Sequence, residues 1–321
     1  LELQLLLYTK RILKKEKNNL KTYVCGHKNP DTDSVISAIA LAEINGYEAS
    51  VPGQLNKETK YVLSQFGFTV PALVPAEDKR VILVDHNSPE EMHENIKKEE
   101  IVGIVDHHKL GGPFSEEPIE VNIKPYGCTA TVIAIKAIRE MEKVSKQVAG
   151  ILIAGIISDT LKLTSPTTTD RDVAVIKELN KIAEVDVDEL AEGMFKAKSD
   201  ISDIKTEDLV FADYKEFEMS GHKVGIGVWE TVSPEVVMAR KDEIKSCLVA
   251  EKEKSGVEAI FFATVDILKG ESEMILPSEY EIVCAEKAFG TEVQGDTMEL
   301  VDVVSRKKQI APAFDRYFSN N

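Results

Sequence analysis

The chain has 321 residues, 43% of them apolar and 29% charged, the mix of a folded globular protein and enough length for two domains. Its 39 Lys and Arg stand against 55 Asp and Glu, a formal charge of −16, which excludes the broad positive surface of a non-specific nucleic-acid binder. No apolar run approaches the roughly 20 residues that span a bilayer, so neither nucleic acid nor membrane is expected as a partner.

Residues 1–21, LELQLLLYTKRILKKEKNNLK, place the apolar stretch ahead of the basic residues, the reverse of a secretory signal. They read as an N-terminal extension without an assigned role, on a protein expected in the cytoplasm. Over residues 22–198, short apolar runs alternate with helix-length stretches. KTYVCG predicts a strand and SVISAIALAEING a helix stopped by Gly46. RVILVD and EIVGIVD are continuous apolar runs ending in a carboxylate, as buried parallel strands do. Between them SPEEMHENIKKE has helical spacing and a Ser-Pro start. TATVIAIKAIREMEKV and QVAGILIAGIISDT predict two more helices, the second apolar all round and therefore buried. The alternation predicts an α/β domain, a parallel sheet flanked by helices. At KAKSDISDIKTEDL the texture turns polar, placing a linker near residues 198–206. Residues 206–321 predict a smaller α+β domain: a hairpin in KEFEMSGHKVGIGVWET turning at Ser220-Gly221, a charged helix in PEVVMARKDEIKSCLVAEKEK and a strand in AIFFATVDI. Cys25, Cys128, Cys247 and Cys284 are scattered without a CxxC pair, unlike a zinc ribbon or a disulfide scaffold. Cys25 and Cys128 read as small buried hydrophobes.

The chemistry gathers at the predicted strand ends, where open parallel sheets bind ligands. The loop after the first strand holds His27, Asp31 and Asp33. The two Asp share a face if the segment is extended, and one of them can also cap the helix that begins at Ser34. The next strands deliver Asp85-His86-Asn87 and Asp106-His107-His108, and Asp159 follows a buried helix. Carboxylates converging in one pocket repel one another unless a cation neutralises them. Imidazole mixed with carboxylate suits Mn²⁺, Co²⁺, Zn²⁺ or Fe²⁺ better than Mg²⁺. The donor count predicts two ions sharing one carboxylate, about 3.5–4 Å apart, with a bridging hydroxide for in-line attack on phosphorus. Ser305-Arg306-Lys307-Lys308-Gln309 supplies a basic cluster that grips phosphate and closes over an anion held by the first domain.

Together GHKNPDTDS, ILVDHN, VDHHK, YGCTATVIA, ISDTL followed by SPTTTD, KAKSD and VVSRKKQ resemble, in order and approximate spacing, the family II inorganic pyrophosphatases of the DHH phosphoesterase superfamily. The resemblance spans residues 22–318. It implies a DHH metal-binding domain, a C-terminal substrate-binding domain and an active site in the cleft between them. It also implies a homodimer that hydrolyses pyrophosphate to two orthophosphates at a binuclear Mn²⁺ or Co²⁺ centre, with Mg²⁺ accompanying the substrate. Carried over by motif position, His27 and Asp31 hold one metal, Asp33, His107 and Asp159 the other, and Asp85 bridges them. His108 contacts the substrate near the scissile bond as donor or proton source, and Lys196, Arg306 and Lys307 bind phosphate oxygens. Asp106, His86 and Asn87 support the ligands from behind.

One departure is Thr164, which stands in LKLTSPT where the family usually has Lys. No room exists between Asp33 and Asp85 for the nucleotide-sensing CBS insert of regulated members. An exopolyphosphatase is the nearest alternative. A nuclease relative would carry a GGGH-like C-terminal motif and aromatic stacking surfaces, whereas this chain has Trp229 as its one tryptophan and 6% aromatics. A non-catalytic scaffold would show a lost ligand, and all six are present.

Overall fold

The computed structural model describes residues 20–112, 115 and 118–320. The expected extension lies outside them apart from Leu20 and Lys21. The chain divides into two compact units, one ending at Ala197 and the other beginning at Lys198.

The first unit is built on five parallel strands: β1 (Thr22–Cys25), β2 (Glu48–Ser50), β3 (Arg80–Val84), β4 (Ile101–Asp106) and β5 (Glu120–Ile123), in the order β2-β1-β3-β4-β5. The three runs read as strands from sequence are the central ones. Val24, Cys25, Val81, Leu83, Val84, Ile104 and Val105 are all buried there, which is why these runs are apolar without alternation. Helices α1 (Thr32–Asn45), α2 (Lys57–Gln65), α3 (Thr129–Arg139), α4 (Lys146–Thr160), α5 (Asp170–Ala183) and α6 (Val187–Lys198) accompany the sheet. α1 stops at Gly46, whose φ of 68° is the left-handed exit that glycine adopts without strain. α4 is buried continuously from Val148 to Ile157, as its uniform apolarity demands.

SPEEMHENIKKE does not form the expected helix; only 3₁₀ turns occur at Pro89–Glu91 and Lys98–Glu100. A buried ion pair takes the backbone groups a helix would need. Lys79 Nζ lies 2.9 Å from Glu100 Oε2 and donates to the Asn95 carbonyl at 2.7 Å, while Glu100 accepts from Lys97 N at 2.9 Å. Ile96 packs in an apolar cluster with Leu83, Ile101 and Ile104.

The second unit contains α7 (Thr206–Phe211), β6 (Tyr214–Met219), β7 (His222–Thr231), α8 (Pro234–Met238), α9 (Lys241–Ser255), β8 (Ala259–Asp266), β9 (Glu271–Ile275), α10 (Glu279–Phe289), β10 (Thr297–Val301) and α11 (Ala311–Ser319). Its sheet runs β10-β9-β8-β7-β6, antiparallel except between β7 and β8. The β6–β7 hairpin turns where expected, with φ of 54° at Ser220 and 91° at Gly221, the doubly left-handed turn that matches strand twist. The expected charged helix is two helices, α8 and α9, parted at Ala239-Arg240. Arg240 fixes the break by donating to the Ile201 and Ile204 carbonyls at 3.2 and 2.8 Å and to Thr206 Oγ1 at 2.6 Å. Among the described residues no helix is long and apolar enough to cross a membrane. The four cysteines are free thiols, with Cys25 and Cys128 buried.

Candidate metal centre

The site is assembled within the first unit from the ends of β1, β3 and β4 and from the α1, α3 and α4 helices. The loop after β1 starts at Gly26, where a Cβ would stand 1.8 Å from Ser34 Oγ, so only glycine lets the chain pass this close to α1. The Asp31-Thr32-Asp33 stretch is not extended: α1 begins at Thr32, between the two carboxylates. Asp31 caps the helix, its Oδ1 accepting from Ser34 N at 3.0 Å, while its Oδ2 lies 3.5 Å from His27 Nε2. Capping and facing the site are thus done by different oxygens of one residue. Asp33, in the first helical turn, is fully buried. The two Asp therefore serve separate groups.

Those groups are defined by donor atoms within 4.8 Å of one another: His27, Asp31 and Asp85 form one set, Asp33, His107 and Asp159 a second, and Asp85 also gathers with His107 and His108. Asp85 joins the sets. Its Oδ2 is 3.4 Å from His27 Nε2 and its Oδ1 3.4 Å from His107 Nε2. It leaves β3 with φ 64°, a left-handed conformation costing a non-glycine residue about 1–3 kcal/mol and concentrated at functional sites. Burial first, then the charges of Asp33 and Asp31, push its carboxyl well above the usual carboxylate range. Burial likewise raises Asp33.

These donors fit divalent cations. His107 Nδ1 is 3.0 Å from the Tyr126 carbonyl, an oxygen that only accepts, so Nδ1 carries the proton and Nε2 offers its lone pair. That Nε2 is buried and has no hydrogen-bond partner, an arrangement rare for a polar atom unless something else satisfies it. Asp159, in the last turn of α4, stands 3.8 Å away. After it the chain runs through three left-handed residues, Leu161, Lys162 and Leu163, a turn that L-residues enter at roughly 1–2 kcal/mol each.

Asp106, His86 and Asn87 lie behind this arrangement. Asp106 Oδ1 accepts from His107 N at 2.7 Å, His108 N at 3.1 Å and His108 Nδ1 at 2.9 Å, and Asn87 Nδ2 donates to its Oδ2. Its ring partner is therefore His108, whereas the His107 ring rests on Tyr126. His86 Nδ1 lies 2.9 Å from the Val84 carbonyl, and burial lowers its pKa to about 4, so it is neutral. A cavity of about 470 Å³ lined by His27, Asp85, His86, His108 and Lys109 opens beside the donor sets.

Of the basic residues, Lys196 is exposed on α6 and Lys307 is exposed in the π-helical turn Arg306–Ile310 of the second unit. Arg306 is engaged: its guanidinium donates to the Asp213 carbonyl and, at 2.7 Å, to Asp213 Oδ1. Asp213 was not singled out from sequence, nor were Thr129 and Asp172. Thr129 donates to Asp85 and Asp33, and buried Asp172 accepts from Gly127 N and Thr131 Oγ1. The signal for Thr129 was the YGCTATVIA motif, whose hydroxyls cluster at a helix start.

This parallel α/β unit gathers carboxylates and imidazoles at its strand ends into adjacent donor groups, the chemistry of a metal-dependent hydrolase. Residues 21–156 match the DHH family, N-terminal domain, and residues 192–317 the DHHA2 domain. The manganese-dependent inorganic pyrophosphatase of Methanocaldococcus jannaschii is 38% identical over 308 residues, 92% of this chain and 99% of that protein. A relative from Archaeoglobus fulgidus carrying the same activity in its name is 42% identical over 316 residues, 92% and 98% of the two chains. A solved Methanococcus jannaschii structure described as a family II inorganic pyrophosphatase superposes with a TM-score of 0.60 at 37% identity, covering 93% of this chain and 99% of that one. An exopolyphosphatase-related protein from Bacteroides fragilis, 14% identical with a TM-score of 0.50, shares the fold alone. The chain belongs to the manganese-dependent, family II inorganic pyrophosphatases.

Proposed function

We propose that this protein is an inorganic pyrophosphatase that hydrolyses pyrophosphate to two orthophosphates using a pair of Mn²⁺ or Co²⁺ ions. The observation that carries this reading is Asp85, whose two oxygens each lie 3.4 Å from a histidine of a different donor set. When bound, two cations held by His27, Asp31 and Asp85 and by Asp85, Asp33, His107 and Asp159 supply positive charge for the phosphoryl oxygens and an acidified water as nucleophile.

The chain's own residues do the rest. Pyrophosphate carries roughly four negative charges when ionised, so alignment and charge neutralisation dominate catalysis. Lys196, Arg306 and Lys307 bind phosphate oxygens, Arg306 through the planar fork that Asp213 orients. His108, anchored through Nδ1 on Asp106, donates from Nε2 to the departing phosphate. Mg²⁺ enters with the substrate, and the working form is a cytoplasmic homodimer.

The test is phosphate release after stripping the metal and reloading with Mn²⁺, Co²⁺, Mg²⁺ or Zn²⁺ in turn, with pyrophosphate, tripolyphosphate and a short oligonucleotide as substrates. Hydrolysis of pyrophosphate, fastest with Mn²⁺ or Co²⁺, is expected. Activity on tripolyphosphate without activity on pyrophosphate overturns the assignment and points to a polyphosphatase.

A further inference from the structure

The geometry points to Thr129 as a positioning residue that sets the shared carboxylate between the two donor sets, an inference that rests on the two-cation reading above. Thr129 Oγ1 donates to Asp85 Oδ1 at 2.8 Å. Its backbone N donates to Asp33 Oδ2 at 2.7 Å, and Ala130 N donates to Asp33 Oδ1 at 2.9 Å. Both amides belong to the first turn of α3, where backbone N–H groups have no partner inside the helix and are available to a carboxylate. One helix start thereby holds a carboxylate of the second donor set and the carboxylate that joins both sets.

This helix start is itself anchored from behind. Gly127 N donates to both oxygens of Asp172 at 3.2 and 3.0 Å, and Thr131 Oγ1 donates to Asp172 Oδ1 at 2.6 Å. A Cβ at residue 127 would lie 2.7 Å from Asp172 Oδ2, so the approach needs glycine. Thr129 and Asp172 are fully buried and Asp85 is 1% exposed, so bulk water does not stand in for a lost donor. Turning the Asp85 carboxyl about its own axis would carry Oδ1 away from His107 and Oδ2 away from His27 together. The Thr129 hydroxyl, bound to one oxygen, opposes that rotation. The contacts to Asp33 come from the backbone and survive a change of side chain, so substitution at residue 129 isolates the contact to Asp85.

Metal-free wild type, Thr129→Val, Thr129→Ala and Thr129→Ser are titrated with Mn²⁺ by calorimetry, free Mn²⁺ is followed by electron paramagnetic resonance, and the thermal midpoint of each metal-free protein is recorded. Loss of the hydroxyl in Val or Ala is expected to weaken Mn²⁺ binding by about 10–100-fold, the scale of a lost ligand-orienting hydrogen bond, with Ser within about threefold of wild type. The metal-free midpoint of Thr129→Val falls by only a few degrees, the cost of about one buried hydrogen bond; should Val fail to fold, Ala decides. Wild-type affinity in the hydroxyl-free variants overturns the proposal. An equal loss in Thr129→Ser, or a drop in metal-free stability that accounts for the weaker binding, assigns Thr129 to packing and overturns it too. A wild type that takes up no Mn²⁺ overturns the two-cation reading itself, so the two failures are told apart.

Discussion

His108 Nδ1 lies 2.9 Å from Asp106 Oδ1, and this contact gives the adjacent histidines of VDHHK different chemistry. Burial works against the Asp106 charge, yet hydrogen bonds from His108 and Asn87 hold its pKa down at about 2. An anion at that position keeps a proton on His108 Nδ1 and raises the imidazole pKa, its hydrogen bond outweighing burial. The His107 ring leans instead on the Tyr126 carbonyl, which fixes the tautomer with the proton on Nδ1 and the Nε2 lone pair facing the carboxylates.

His108→Gln is therefore expected to lower kcat for pyrophosphate by about 10²–10⁴-fold, the range of a lost general acid, with Mn²⁺ content unchanged. His107→Gln is expected to lose metal instead. Phosphate-release kinetics together with elemental analysis check both, and metal loss in His108→Gln would contradict the division of roles.

Asp31 belongs to one donor set, whereas Asp85 groups with His27 and Asp31 and also with His107 and His108. Asp31→Asn should reduce tightly bound Mn²⁺ from two ions per chain toward one, while Asp85→Asn should weaken both. Equilibrium dialysis measures the stoichiometry. Equal loss in the two variants would show that Asp85 is not shared.

The pH dependence of stability should invert with metal. In the metal-free protein Asp85 and Asp33 are raised above 3.8, chiefly by burial, and His27 is raised above 6.5, its contact with Asp31 and the nearby carboxylates outweighing burial. Groups raised in the folded state add stability below their unfolded pKa and lose it as pH rises through the folded value. The chelated protein should thus melt higher as pH falls from about 8 to about 6.5, above the range in which His86, held at a pKa of about 4 by burial, takes up its proton in the unfolded state alone and opposes the trend. The Mn²⁺-loaded protein melts lower over the same range because protons compete for its ligands. Differential scanning calorimetry with and without chelator reads both trends, and a midpoint that falls with pH in the chelated protein would refute the first.

Arg306 is held by the carbonyl and carboxylate of Asp213. Arg306→Ala is expected to raise KM for pyrophosphate by about 10–100-fold, since hydrogen bonds to charged groups contribute about 1.5–3 kcal/mol. Arg306→Lys keeps the charge without the fork and should fall between the two. Steady-state kinetics and metal analysis belong together here: reduced Mn²⁺ content in Arg306→Ala would place this residue with the cations rather than with phosphate.

Much of this site is legible locally. Asp85, Asp106 and His107 follow apolar runs that could only be buried parallel strands, and such strands deliver their next residues to the carboxyl edge of the sheet. Gly46 and Gly221 announced their turns because glycine enters the left-handed region without strain. The division of Asp31 and Asp33 between donor sets followed from the family resemblance and not from residue type or spacing, because it depends on α1 starting between them. Nor was the unwound SPEEMHENIKKE segment, whose helical spacing yields to the buried Lys79–Glu100 pair. The partners of the key residues were hidden for the same reason: Thr129 lies 44 positions from Asp85, and Asp213 lies 93 from Arg306. Residue type and spacing determine which side chains can hold a cation or a phosphate and which strand ends carry them. Which oxygen faces which histidine, and which hydroxyl keeps it there, is decided only by tertiary packing, because those hydrogen bonds join segments that share no local period.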